Sequence, residues 1–302
     1  MSNKTFQELN LNNGFLFPAA LEDPVTCRLV LECILGETVS DLMVKVEYTK
    51  PYNSEFKCIR LDVYAKSVME VSYNVEMQNK NEYNLPLRSR YYQAQIDLAG
   101  LEPGDDYNDL KPLYVIFICN FDPFDQELYQ YTFMMHCRER DIPLNDGVKR
   151  IFFNTKGKNR KEVPEILIDF LGYLNDSTDS YVEERPNEKL KEIHKRIQEL
   201  KKKRDVEARY MHYLYVDKII EGKENELKAK DTELKAKDME LKEVQETVRE
   251  MIFDLIEEYA KIPETIRKRI EEEKDIKKLK QMIRAAVKAD SLEQFEERIA
   301  NL

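Results

Sequence analysis

Two short stretches place carboxylates at alternate positions of neighbouring strands. In Cys58-Ile59-Arg60-Leu61-Asp62-Val63-Tyr64-Ala65 the odd positions are apolar, and Arg60, Asp62 and Tyr64 point the other way. That period of two marks a strand with one face on a core. In Val71-Ser72-Tyr73-Asn74-Val75-Glu76-Met77-Gln78 the residues Tyr73, Val75 and Met77 share one face, and Asn74, Glu76 and Gln78 the other. A few residues connect the two strands, so an antiparallel hairpin is expected, with Asp62, Glu76 and Gln78 on one face. Two carboxylates from adjacent strands can converge on a hard divalent cation, which takes oxygen ligands and keeps several waters. Such an ion polarises a phosphate oxygen and makes a bound water a better nucleophile. The plainer alternative is a solvated sheet face, where acidic residues are common. Under both readings the two acids are expected to be largely solvated.

The surrounding elements must hold that hairpin. Asp23-Pro24 opens a helix, with a capping carboxylate before a proline at the first helical position. The run Val25 to Leu35 is apolar around most of its circumference, broken by Arg28 and Glu32, and Gly36 stops it. After the hairpin, Pro86 starts a helix with apolar residues at Leu87, Tyr91, Ala94, Leu98 and Leu101, ended by Gly104 and an acidic turn. Leu113 to Cys119 is a continuous apolar run, as expected for a strand buried on both faces. Tyr129 to Cys137 and Arg150 to Asn154 are further strand candidates, and Glu165 to Tyr173 reads as the last helix of this domain.

Beyond Pro186 the chain turns polar and helical. Glu226-Leu-Lys-Ala-Lys-Asp-Thr232 is followed by Glu233-Leu-Lys-Ala-Lys-Asp-Met239, a heptad repeat with leucine at 227, 234 and 241. One apolar residue per heptad makes a thin seam, so a solvated single helix is favoured over a strong coiled coil. Val248 to Tyr259 and Ile276 to Leu302 regain apolar periodicity, as for a small helical hairpin. The expected layout is a domain over residues 1–184, a charged arm over 185–250 and a C-terminal helical element over 251–302. The last, with more apolar area, is the expected homodimer contact.

Charged residues are 35% of the chain and crowd beyond Glu183, which leaves the first half to bury the core. A net charge of -10 argues against a generally basic protein that coats nucleic acid, although local cations can still guide DNA on an acidic body. The N-terminus has no apolar signal core and no stretch is long enough to span a membrane. The five cysteines, Cys27, Cys33, Cys58, Cys119 and Cys137, form no CxxC pair, so a reducing cytoplasm is the expected setting. His136, His194 and His212 are too scattered for a zinc site, and His136 reads as a strand decoration. No serine–histidine or cysteine–histidine pair stands out, and eight glycines do not make a Walker loop or dinucleotide fingerprint. No small-molecule cofactor is expected.

The order of segments resembles the αβββαβ core of PD-(D/E)xK nucleases. More narrowly, Arg60-Leu61-Asp62-Val63, Asn74-Val75-Glu76-Met77-Gln78, Arg88-Ser89-Arg90-Tyr91-Tyr92, Gly104-Asp105-Asp106-Tyr107, the run Tyr114 to Phe124 and Ile151-Phe-Phe-Asn-Thr-Lys-Gly157 resemble the recombination-promoting nuclease (Rpn) family. That family is also called PD-(D/E)xK nuclease family transposases. The resemblance implies an α/β restriction-endonuclease-like core with a long helical arm and C-terminal helices. It also implies DNA cleavage with Mg²⁺, or another divalent cation such as Ca²⁺ or Mn²⁺, in proteins linked to recombination and mobile elements.

By the same resemblance Asp62 and Glu76 are the two acidic ligands, the Met77 backbone carbonyl a third, and Glu32 a further acid on the preceding helix. A surface pair with Arg28 is the alternative for Glu32. Gln78 stands where the superfamily has lysine. Glutamine can orient a water but cannot stabilise hydroxide by charge, and Lys80, with the same strand parity, is the candidate displaced lysine. Arg88 and Tyr92, one turn apart, would share the exposed face of the following helix as DNA contacts, arginine being suited to phosphate. Tyr91 reads as core and Arg90 as a solvated charge. RNA as substrate, and a catalytically silent DNA- or partner-binding scaffold, are the alternatives.

Overall fold

A computed structural model of the chain describes residues 5–50, 59–258 and 260–300. Cys58, Tyr259 and Leu302, at the ends of expected elements, lie outside them. Helices α1 (Leu16–Leu21) and α2 (Pro24–Leu35) precede strands β1 (Leu42–Lys50), β2 (Ile59–Ser67) and β3 (Ser72–Gln78). Helix α3 (Leu85–Leu98) follows, then β4 (Leu113–Cys119), β5 (Gln130–Phe133) and β6 (Val148–Asn154). Helices α4 (Glu165–Tyr173), α5 (Asp179–Glu183) and α6 (Glu188–Lys201) lead into α7 (Arg204–Glu257), α8 (Glu264–Glu272), α9 (Ile276–Val287) and α10 (Leu292–Ile299). The class is mixed α/β. The chain divides into a first unit ending at Leu214 and a second beginning at Tyr215.

The expected start of α2 is the observed one. The Asp23 carboxylate accepts the Thr26 N–H at 3.0 Å, Pro24 needs no donor there, and Gly36 ends the helix at φ 71°, where other residues are strained. The first unit is one six-stranded sheet in the order β1-β2-β3-β4-β6-β5. β1–β2, β2–β3 and β5–β6 pair antiparallel, and β3–β4 and β4–β6 pair parallel. The parallel pairing follows from chain length: a tight turn cannot join β3 to β4, whereas the intervening segment containing α3 can.

Two cores sandwich the sheet. On one face Val63, Ala65, Val75, Ile116, Ile118 and Phe153 pack with α1, α2, α4 and α6. On the other, Val115, Phe117, Cys119 and Phe152 pack with Leu85, Tyr92 and Ile96 of α3. β4 therefore supplies both cores, as its unbroken apolar run requires. Burial pushes the thiols of Cys27, Cys33 and Cys119 up to about 12, so these are packing residues.

Sequence expectations change at several elements. β1 and α1 carry no clean periodic signal and were not expected individually. α3 presents Leu85, Ser89, Tyr92 and Ile96 to the core, while Leu87 and Leu98 are exposed. The apolar frame based on Leu87, Tyr91 and Leu98 was therefore rotated, because tertiary contacts with β4 decide which side faces in. His136 lies beyond β5, in an isolated bridge with Pro143, rather than in the strand. The expected arm also starts late. Leu190, Ile193 and Ile197 of α6 are buried in the first core with Val206 and Tyr210, the Tyr210 ring lying 5.3 Å from Phe6 and 5.4 Å from Phe15. Lys201 Nζ donates to the carbonyls of Leu9 at 2.6 Å and Gln7 at 3.0 Å.

In the second unit Leu227, Leu234 and Leu241 are exposed, and the repeat is laced by Lys230–Glu226, Lys235–Asp231 and Lys237–Glu233 pairs at 2.6–2.8 Å. In place of the expected hairpin, the end of α7 packs with three further helices. Ile252, Ile256, Ile266, Ile270, Leu279, Met282, Phe295 and Ile299 share one core. Most of the apolar residues expected to offer a homodimer contact are committed to that interior, while Met251 and Val287 are exposed. No helix among the described residues is long and apolar enough to cross a membrane.

Candidate active site

The β2–β3 ladder runs from Lys66↔Ser72 to Val63↔Val75 and is not recorded further. The next facing pair is Asp62 and Glu76. Beyond Val63 the two carboxylates take the place of main-chain partners. Glu76 Oε1 accepts the Asp62 N–H at 3.1 Å, and Asp62 Oδ2 accepts the Met77 N–H at 3.1 Å. Each acid thus satisfies a backbone donor on the opposite strand, which holds the fork open with both carboxylates inside it. Leu61, on the far side of the break, belongs to the core under α3 while Val63 and Ala65 belong to the opposite one, so the strict alternation expected of β2 fails at Asp62. A residue's N–H and C=O project from the same edge of a strand. The Met77 carbonyl therefore faces the fork, while its side chain sits in the first core.

The expectation of two solvated acids is overturned for Glu76, which is 1% exposed, because α3 covers the sheet face that the pattern alone left wet. Asp62 is partly exposed. Burial raises the Glu76 carboxyl well above its ordinary value, and the neighbouring Asp62 charge raises it further. Arg88 opposes this. Its guanidinium lies 3.3 Å from Glu76 Oε2, donates to Gln78 Oε1 at 3.0 Å and to the Tyr92 hydroxyl at 3.0 Å, and sits over the Phe117 ring at 5.6 Å. Burial works against its charge, but Tyr92, Glu76 and Glu82 outweigh it and hold its pKa above the usual arginine value.

Tyr92 is buried, its ring stacked on Phe117 at 6.1 Å. It is not the exposed DNA contact expected, because α3 turns it inward. Its hydroxyl positions Arg88. Tyr91 packs partly against the same core and Arg90 is exposed, as expected. β3 ends at Gln78, so strand parity does not extend to Lys80, which lies in an exposed bend two residues on. Among the described residues no recorded hydrogen bond or ion pair joins Lys80 to the cluster. Glu32 pairs with neither Arg28 nor the cluster in the recorded contacts. It bonds Lys189 of α6 at 2.8 Å and accepts the Val39 N–H at 3.3 Å, while Arg28 pairs with Asp41 at 3.1 Å.

The donor set suits a hard cation. No three His, Cys, Asp or Glu side chains gather among the described residues. Two carboxylates and the Met77 carbonyl leave positions open around such an ion, which Asp62, Glu76 and Met77 would share with water. That is the arrangement Mg²⁺ favours. Asn74 adds to the fit. It is fully buried one pleat from Glu76 and close enough to favour the charged carboxylate by a side-chain contact, but no hydrogen bond of ordinary geometry satisfies either atom of its amide. Unpaired buried amides are costly and uncommon, and this one lies beside the two acids. Sequence reasoning gave Asn74 no role, although its parity with Glu76 placed it on the same face. The inward pairing of Arg88 was also missed, since the rotation of α3 is set by packing.

The fold is that of a mixed α/β protein with one six-stranded sheet, and two carboxylates and an arginine from the crossing helix meet at its β2–β3 fork. The family model described as PD-(D/E)XK nuclease family transposase matches residues 16–229, and the chain belongs to that family. Comparisons with curated proteins and with solved structures gave no match.

Proposed function

We propose that the chain is a divalent-metal-dependent endodeoxyribonuclease that hydrolyses phosphodiester bonds in recombination or the movement of mobile DNA. The observation carrying this reading is the open fork at Asp62 and Glu76, where both acids replace ladder partners inside the family-matched region. The succession α2, β1, β2, β3, α3, β4 supports reading these elements as an αβββαβ nuclease core. Asp62, Glu76 and the Met77 carbonyl would hold Mg²⁺, or Mn²⁺ or Ca²⁺ in its place. The bound ion supplies Lewis acidity and a more acidic water. The Gln78 amide, its oxygen held by Arg88, would be left with its N–H donors to orient an attacking water. Arg88 supplies the fixed positive charge that lysine would otherwise bring, by stabilising the negative charge that develops on the phosphate. DNA is preferred to RNA because the family is described as one of transposases.

Self-association belongs to the same proposal. With most of the apolar residues of α8–α10 buried internally, the pairing surface is the α7 stripe Ile220, Leu227, Leu234 and Leu241, all exposed and seven residues apart. Plasmid cleavage across a series of divalent ions, run beside the Asp62→Ala protein, tests the nuclease reading. Metal-dependent nicking is expected for the wild type alone. A second reading, a catalytically silent DNA- or protein-binding scaffold, is favoured by the Arg88–Glu76 pair occupying one candidate ligand. It predicts DNA binding without cleavage under every ion.

A further inference from the structure

The second unit carries a cationic surface that the nuclease reading does not use. Helix α9 is amphipathic, with Leu279, Met282, Ala285 and Ala286 buried in the internal core. Its outward side holds Lys277, Lys280, Arg284 and, at the C-cap, Lys288, all exposed. These positions recur at intervals of three and four, so one face presents all four charges. Ile276–Val287 contains no acidic residue, in a chain whose net charge is -10. Among the described residues no recorded ion pair neutralises any of the four. By contrast, the arm lysines Lys230, Lys235 and Lys237 each have an acid one turn away, and Lys278, on the flank of α9, lies 3.8 Å from Glu273. Four cations on one exposed face make a local positive patch, on an otherwise acidic chain, that attracts a polyanion.

We propose that this face of α9 docks on the phosphate backbone of duplex DNA, as a binding site separate from the candidate active site. The choice of DNA among polyanions rests on the nuclease reading. The chemistry of the face fits it: four long cationic side chains, with Gln281 as the only neutral polar side chain of α9, contact phosphates without reading bases. The row advances about 1.5 Å per residue along a rigid helix, so its charges follow a regularly charged strand. A membrane surface is disfavoured, because a helix lying in a lipid interface buries its apolar side there, and that side of α9 is already inside the protein. A second copy of the same face is excluded by like charge.

The test uses the full chain carrying Asp62→Ala, in the absence of divalent ions, and a short labelled duplex. Binding is measured over a salt series with and without Lys277→Gln, Lys280→Gln, Arg284→Gln and Lys288→Gln together. Each phosphate contact contributes about 0.9 to the slope of log affinity against log salt, so the fourfold variant should bind more weakly with a slope shallower by about 3.6. The single variants Lys280→Gln and Arg284→Gln, each of an exposed residue, should each lose about 0.9 of slope, which keeps the test decisive if the fourfold variant folds poorly. Unchanged affinity and slope would overturn the proposal. So would loss of binding to phosphatidylserine vesicles with DNA binding intact, which would assign the face to lipid. Cleavage by the wild type with metal is read separately. Cleavage with an unaffected slope removes the α9 site and leaves the nuclease. A shallower slope without cleavage removes the nuclease and leaves a DNA-binding face.

Discussion

Glu76→Gln keeps the side-chain volume and the carbonyl that accepts the Asp62 N–H, while removing a charge that burial disfavours. The expected outcome is a folded protein with an undiminished melting temperature and no metal-dependent plasmid cleavage. Glu76→Ala differs. It strands the Asp62 N–H and one side of Arg88, a loss of about 1–3 kcal/mol measurable by denaturant titration. Cleavage at the wild-type rate by an Asp62→Ala, Glu76→Gln double variant would remove the assignment of this site. A second comparison separates the two candidate cations. Arg88→Ala should lower the cleavage rate roughly 100-fold or more, the scale of a lost electrostatic stabiliser, whereas Lys80→Ala should stay within a few-fold of wild type. The reverse result would return the role to Lys80. At this scale the sequence marked Asp62 and Glu76 as neighbours on adjacent strands, because hairpin pairing is local, but not that the alternation of β2 breaks at Asp62. It did not disclose that Glu76 is buried or that Arg88 points inward, since both depend on how α3 lies over β3 and β4.

The same division holds for the elements. α2 was legible from its capping acid, proline and terminal glycine, and β4 from its unbroken apolar run; these signals act within a few residues. The core face of α3 was not. Two overlapping apolar rows compete on that helix, and the one containing Tyr92 wins through its stack on Phe117. The edge of the sheet offers a sharper test. Gly157 passes so close to β5 that a Cβ there would lie 2.5 Å from the Tyr129 N and 2.6 Å from its Cα. Backbone cannot yield as a long side chain can. Gly157→Ala should therefore destabilise the first unit by about 1–3 kcal/mol, seen as a lowered melting temperature. An unchanged melting curve would mean that this segment and Tyr129 do not meet so closely in solution.

For the whole molecule, the limit of the first unit decides what a truncation leaves. A chain ending at Glu184 lacks α6 and with it Leu190, Ile193 and Ile197, all buried, and the Lys201 bonds to Gln7 and Leu9. Losing even one such side chain costs about 2–5 kcal/mol, comparable with the stability of a whole domain, so that fragment should fail to fold. A chain ending at Leu214 should fold, cleave short DNA with metal and sediment as a monomer. The full chain should self-associate, and Leu227→Glu with Leu234→Glu should abolish it. If the fragment ending at Leu214 is folded yet cannot cleave DNA that the full chain cuts, the second unit takes part in the chemical step. The late start of the arm escaped sequence reading because α6 is rich in lysine and glutamate; its few apolar residues only acquire meaning against α2 and α4.

The Glu-Leu-Lys-Ala-Lys-Asp repeats of α7 have a bearing on how the protein meets a protease. No core residue anchors this stretch, so opening a turn breaks main-chain hydrogen bonds and exposed ion pairs worth little in water, and local opening there costs little. It is also dense in lysine, from Lys228 to Lys242. Brief trypsin treatment should nick first in that interval and yield two resistant pieces. Their masses, read by mass spectrometry, should place the first cuts between residues 223 and 242, before any cut inside the sheet.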